Sequence, residues 1–171
     1  PAWHPSGERL AYASYADGQS SDIWETDLSS GLEWRLTNGP GDDSEPAWSA
    51  DGRDLVYINY RQDQWRLMLR RFGGLTQVLT TSEIPLQSPS WRPDGTLVTY
   101  FAVTDDGAEL RMSILSNPPL ERRYSRERAL FPTPVSWLDR NRMYYSVGDR
   151  IMTRRFGDWA GQVVPFRAAV N

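Results

Sequence analysis

A tryptophan recurs in this chain at positions 3, 48, 91 and 137, each time in the same short setting. Pro1-Ala2-Trp3-His4-Pro5-Ser6-Gly7, Pro46-Ala47-Trp48-Ser49-Ala50-Asp51-Gly52 and Pro89-Ser90-Trp91-Arg92-Pro93-Asp94-Gly95 follow one template. Val135-Ser136-Trp137-Leu138-Asp139-Arg140-Asn141 is a worn fourth copy. A period of this length marks a supersecondary unit that cannot bury its apolar surface alone and must stack on its neighbours. No other feature of the sequence restricts the fold as strongly.

The fourth residue after each tryptophan is Gly7, Gly52, Gly95 and then Asn141. A turn that needs a left-handed backbone explains this set, because asparagine tolerates that region better than other side chains. Pro5 and Pro93 stand two residues before the glycine, where a fixed φ suits the first corner of a turn. Asp51 and Asp94 precede the glycine and can bond to local backbone.

Apolar, β-rich runs follow at 10–13, 55–58, 97–101 and 143–147, then second turns at Asp17-Gly18, 61–64, 105–107 and Gly148-Asp149. Third strands are expected over 22–28, 65–70, 109–115 and 150–155, and fourth strands over 33–37, 76–80 and 162–166. In the third copy, Pro118-Pro119 and Arg122-Arg123 blur the last strand. Helical periodicity is absent. The fold expected is therefore all-β, a β-propeller with four blades of four antiparallel strands, at about 1–45, 46–88, 89–134 and 135–171. Its tryptophans are expected to fill the layers between sheets.

Composition narrows the function classes. All 19 basic residues are arginine, set against 22 acids, for a net charge of -3 and a pI near 5.2. Residues 1–51 hold ten of the acids and only two arginines, Arg9 and Arg35. That balance excludes the basic face of a nucleic-acid binder. No apolar run approaches the ~18 residues of a membrane span, and the absence of cysteine removes disulfides and thiolate metal sites. Chemistry is sparse as well. His4 is the only histidine, no H-x-H, H-E-x-x-H or G-x-S-x-G occurs, and without lysine a phosphate-binding G-x-x-x-x-G-K-[ST] loop is impossible. No catalytic, metal or cofactor site is expected within this segment.

The pattern P-x-W-x-P-D-G-x-x-L-x-Y, then a D-G turn, an I-W-x-x-D-L strand and R-L-T, resembles the TolB-like, WD-like propeller repeat. Pro46 to Tyr57 and Asp22 to Thr37 carry the likeness best, and it weakens in the fourth copy. The resemblance implies a ring of about six to eight blades, of which four copies would be a part. It implies a non-catalytic scaffold for a protein or peptide partner, in the periplasm. The alternative it implies is a propeller that supports or gates a hydrolase, either an amidohydrolase or a prolyl-oligopeptidase-type peptidase. The ending Pro165-Phe166-Arg167-Ala168 is similar to the exit from the propeller in the amidohydrolase relatives.

Within a ring, the residues that follow each motif tryptophan share one face, which makes His4, Ser49 and Arg92, with Leu138, candidates for binding. Taken alone, His4 reads as a solvent-exposed turn residue. Gly41-Asp42-Asp43-Ser44-Glu45 reads as a solvated loop between blades, since it lacks the spaced order of a Ca²⁺ loop. Arg122, Arg123, Arg126 and Arg128 with Tyr124 could meet phosphate or an acidic partner, but a polar connection is the simpler reading. End blades without neighbours would favour self-association.

Overall fold

The structure, a computed structural model, describes residues 1–165 apart from Asp17, Arg126, Arg128, Ala129 and Trp159. The Asp17 half of one expected turn, part of the arginine stretch and the Phe166-Arg167-Ala168 ending lie outside the described residues. Those described form four antiparallel sheets of four strands, joined in sequence order, with no helix. The first sheet holds β1 (Ala2–Trp3), β2 (Arg9–Ser14), β3 (Asp22–Asp27) and β4 (Glu33–Arg35). The second holds β5 (Asp42–Trp48), β6 (Leu55–Arg61), β7 (Gln64–Arg70) and β8 (Thr76–Ser82). In the third are β9 (Leu86–Trp91), β10 (Leu97–Thr104), β11 (Gly107–Ile114) and β12 (Leu120–Arg123). The fourth comprises β13 (Ser136–Trp137), β14 (Arg142–Val147), β15 (Arg150–Arg155) and β16 (Gln162–Val163). The expected all-β fold of four four-stranded sheets is borne out, including a fourth strand in the blurred third copy.

Register explains how the sheets stack. The motif tryptophans pair with Leu10, Leu55, Val98 and Met143. Two residues further along the second strand, and so on the same face, stand Tyr12, Tyr57, Tyr100 and Tyr145. In the second, third and fourth sheets this Trp/Tyr face packs on the back of the sheet before it. Leu55 and Tyr57 meet Ala11 and Ile23 in the first seam. Trp91, Val98 and Tyr100 meet Val56, Ile58, Leu67 and Leu69 in the second. Met143 and Tyr145 meet Phe101 and Leu110 in the third, where Leu130 bridges Ala108 and Val147.

The first strands of the second and third sheets carry matching bulges. The pairing of β5 with β6 shifts between Ser44 and Ala47, and that of β9 with β10 shifts between Thr99 and Phe101. Glu45 and Ser88 sit at these points with φ of 49° and 54°, in the left-handed region. A bulge removes a ladder bond, so the imide nitrogens of Pro46 and Pro89 fit next to it inside a strand.

Exposure separates the tryptophans. Trp91 is 8% exposed and its Nε1 donates to Ala47 O at 2.9 Å, whereas Trp3 is 62% exposed, with no sheet against its face among the described residues. Trp91→Ala should therefore cost about 3–5 kcal/mol in urea unfolding, and Trp3→Ala less than about 1 kcal/mol. Equal losses from the two would refute the seam assignment.

Candidate functional site

The first strands of the four sheets converge on one cavity of about 350 Å³. Its lining repeats the motif: Pro1, Pro46 and Pro89, then Ala2, Ala47 and Ser90, with Trp48, Trp91 and Trp137 at the edges and Ala50 and Pro93 from the turns. The wall is mostly apolar, and its prolines lack backbone donors. It is also held stiffly. Trp91 Nε1 bonds to Ala47 O, Ser90 Oγ donates to Val135 O at 2.6 Å, and Ser88 N donates to Glu45 Oε2 at 2.5 Å.

Among the residues that follow the motif tryptophans, His4 departs from the sequence expectation. His4 is only 8% exposed, which corrects its reading as a solvated turn residue. His4 Nδ1 lies 2.9 Å from Ser6 Oγ, and Nε2 lies 3.1 Å from Gly52 O and 2.7 Å from Arg9 Nη2. The ring stands edge-on to Trp48 at 5.0 Å between centroids, and Arg9 beside it reaches Glu25 Oε1 at 3.2 Å. His4 thus pins the first turn to the second. Ser49 is buried too: its hydroxyl donates to Asp51 Oδ1 at 2.6 Å and accepts from Asp54 N at 2.9 Å. Arg92 Nε donates to Asp94 Oδ1 at 2.8 Å, its guanidinium lies 4.8 Å from the Phe156 ring centroid, and this pairing holds Asp94 down at about 2. Leu138 is exposed. The four positions occupy equivalent turns, but His4, Ser49 and Arg92 already spend their polar groups inside the protein.

The acidic segment is likewise not a loop. Asp42 to Glu45 form the start of β5, and Asp43 is 2% exposed. Pairing with β6 continues past the bulge, so the strand reaches back four residues before Pro46. Asp43 N donates to Ser21 O at 2.7 Å, Ser21 Oγ donates to Asp43 O at 2.5 Å, and Asn59 Nδ2 donates to Asp43 Oδ1 at 2.7 Å. Burial, with Asp22 and Asp42 nearby, pushes Asp43 up to about 6 despite the opposing hydrogen bonds from Thr37 and Asn59. Next to it Asp22 is paired with Arg35.

Asp43, Asn59 and Tyr57 border a second cavity of about 380 Å³ over the first seam. Sequence reasoning missed this group. The signal was present in the tyrosine series 12, 57, 100 and 145, and in an aspartate where the next copy has Leu86. In the arginine stretch, Arg123 pairs with Glu109 at 2.9 Å, and Tyr124 lies under Arg154 at 4.4 Å from the ring centroid.

Four-stranded sheets stacked face to face, with their first strands around one cavity, are the blades of a β-propeller. No family model matches the chain. It is 30% identical over 119 residues to the uncharacterized peptidase YuxL of Bacillus subtilis strain 168, a match over 64% of this chain and 18% of that protein. A TolB homologue of Chlorobium luteolum is 29% identical over 104 residues, 60% of this chain and 23% of the homologue. Of solved structures, TolB from Acinetobacter baumannii superposes with a TM-score of 0.76 at 18% identity, over 94% of this chain and 42% of that one. The propeller is TolB-like in its repeat and its stacking, and the chain spans a minor part of the length of these relatives.

Two outcomes test this geometry. A Cβ on Gly52 would lie 2.3 Å from His4 Nε2, whereas one on Gly95 meets nothing within 4 Å, although both residues have φ of 69°. Gly95→Ala should cost about 1 kcal/mol from backbone strain, and Gly52→Ala roughly 2 kcal/mol more in thermal unfolding as the His4 contact is displaced. The second concerns pH. Unfolded Asp43 releases its proton near its ordinary value while the folded protein holds it to about 6, so this group's contribution to stability falls as pH rises from 4 to 6. Asp43→Asn should remove that slope and unfold about 2 kcal/mol higher than the parent at pH 7. Parallel urea curves at pH 4 and pH 7 check it.

Proposed function

We propose that this segment is a non-catalytic propeller scaffold that holds a protein or peptide partner at the cavity between its first strands. The observation that carries the reading is the lining itself: equivalent positions of the repeats present prolines, small side chains and tryptophan edges to one concave surface. Such a surface suits apolar contact with a peptide chain, and its cross-strand bonds preorganise it, so little ordering cost falls on binding. The TolB-like relatives support the same reading and the periplasm as its location. No helix among the described residues is long and apolar enough to cross a membrane.

A photocrosslinking residue at Ala50, exposed at the cavity mouth, tests it in cells of the source organism. The expected result is a discrete adduct with a second polypeptide that is absent when the same residue replaces Asp63 in the β6–β7 turn. Equal labelling from both positions, or none from Ala50, would overturn the reading. The similarity to peptidase YuxL supports a second reading, in which the propeller serves a hydrolase on the same polypeptide. In that case the Ala50 adduct is intramolecular and the chain gains no mass.

A further inference from the structure

The cavity over the first seam lies where β4 ends. Strand β8 runs for seven residues, but β4 for only three, after which Leu36 N and Thr37 N turn in to bond Ile23 O at 2.8 and 3.3 Å. The first sheet therefore leaves the outer part of the second sheet's Trp/Tyr face uncovered. What this uncovers is polar where the third sheet is apolar. Asp43 pairs with Asn59 across β5 and β6. The same pair in the third sheet is Leu86 with Ala102, both 0% exposed.

Tyr57 completes the floor. At the same repeat position, Tyr12 and Tyr145 donate to Glu33 and Glu127, each at 2.6 Å, while the buried Tyr100 hydroxyl has no partner among the described residues. The Tyr57 side chain is 4% exposed, borders the cavity, and has no hydrogen-bond partner for its hydroxyl among the described residues. A phenol oxygen left without a partner, next to a buried carboxylate, is a receptor for N–H donors. Met68 supplies an apolar wall, and Arg61 and Arg66 stand at the rim.

We propose that this cavity receives the cationic side chain of a partner peptide, with its guanidinium or ammonium on Asp43 and Tyr57, its stem on Met68, and its backbone carbonyls towards Arg61 and Arg66. An ionised donor between two acceptors makes bonds of the charge-assisted kind. The proposal refines the partner-binding reading. Because its probes are small molecules, their failure would sink the cavity assignment and leave the scaffold reading standing.

The probes are Nα-acetyl-arginine amide and Nα-acetyl-lysine amide, with Nα-acetyl-citrulline amide as the neutral counterpart, titrated into the labelled 19.6 kDa chain while the Asn59 side-chain amide is followed by NMR. Saturable shifts with one or both cations and roughly tenfold weaker binding of citrulline are expected. The stronger of the two cations identifies the side chain. Asp43→Asn, which keeps the acceptor for Asn59 and should stay folded, should weaken the cation roughly tenfold, and Tyr57→Phe roughly threefold. Affinity should rise from pH 5 to pH 7 as Asp43 ionises. The charged groups around it are Asp22 (held by Arg35) and Asp42, with Arg61, Arg66 and Arg70 from β6 and β7. Citrulline binding as well as arginine, an Asp43→Asn variant that binds undiminished, or no shift at Asn59 with any probe would each overturn the proposal.

Discussion

A four-stranded sheet has two faces, and a repeat of this length brings no second layer of its own to cover either. The contact on which everything else here depends is the seam, where a face built of Trp, an aliphatic residue and Tyr settles on the small and β-branched back of the preceding sheet. Aromatic side chains bury large areas, so each seam contributes several kcal/mol before entropy is charged against it. Because the seam is the main apolar contact between successive units among the described residues, it fixes their relative position and hence the shape of the cavity where the first strands meet. The proposed partner site is therefore a by-product of stacking. It needs no residue chosen for ligand alone.

This economy explains why the polar residues of the motif turn inwards. A turn at the end of a blade must be tied down, or the strands it joins would lose register. His4 does this across a seam, through Gly52 O and the edge of Trp48, while Ser49 and Arg92 do it within their own turns through Asp51, Asp54 and Asp94. Side chains that look variable along the repeat, and so look like specificity elements, are separate local solutions to one mechanical problem.

How far the sequence discloses all this differs between features. Trp, Gly and strand alternation are local signals with fixed physical causes, and they place the sheets and turns directly. The bulges at Glu45 and Ser88 are different. Neither residue is glycine, so nothing in the local sequence marks a left-handed backbone there. They arise because the first strand must curve around the cavity while keeping its pairing, which is a property of the stacked whole. The same holds for His4, whose burial depends on Gly52, 48 residues away. Asp42 to Glu45 read as a loop because acids are rare in buried strands. Only the pairing of Asp43 with Asn59 and its bonds with Ser21 show that a carboxylate can be held there.

That exception bears on what a repeat can carry. In a stack, each position is constrained by its copies, so an apolar pair such as Leu86 and Ala102 is the low-energy choice, and a buried aspartate at the equivalent point costs stability. The cost is visible in the direction of its proton affinity, which burial and two neighbouring carboxylates raise. Were Asp43 only a strand residue, a leucine would serve better and would close the cavity over Tyr57. The polar pair Asp43 and Asn59 departs from the apolar pair at the same point of the third sheet, and it lies beside Tyr57 in the first seam. A break of this kind is where a site can be grafted onto a repeating scaffold, because specificity there enters where the copies differ.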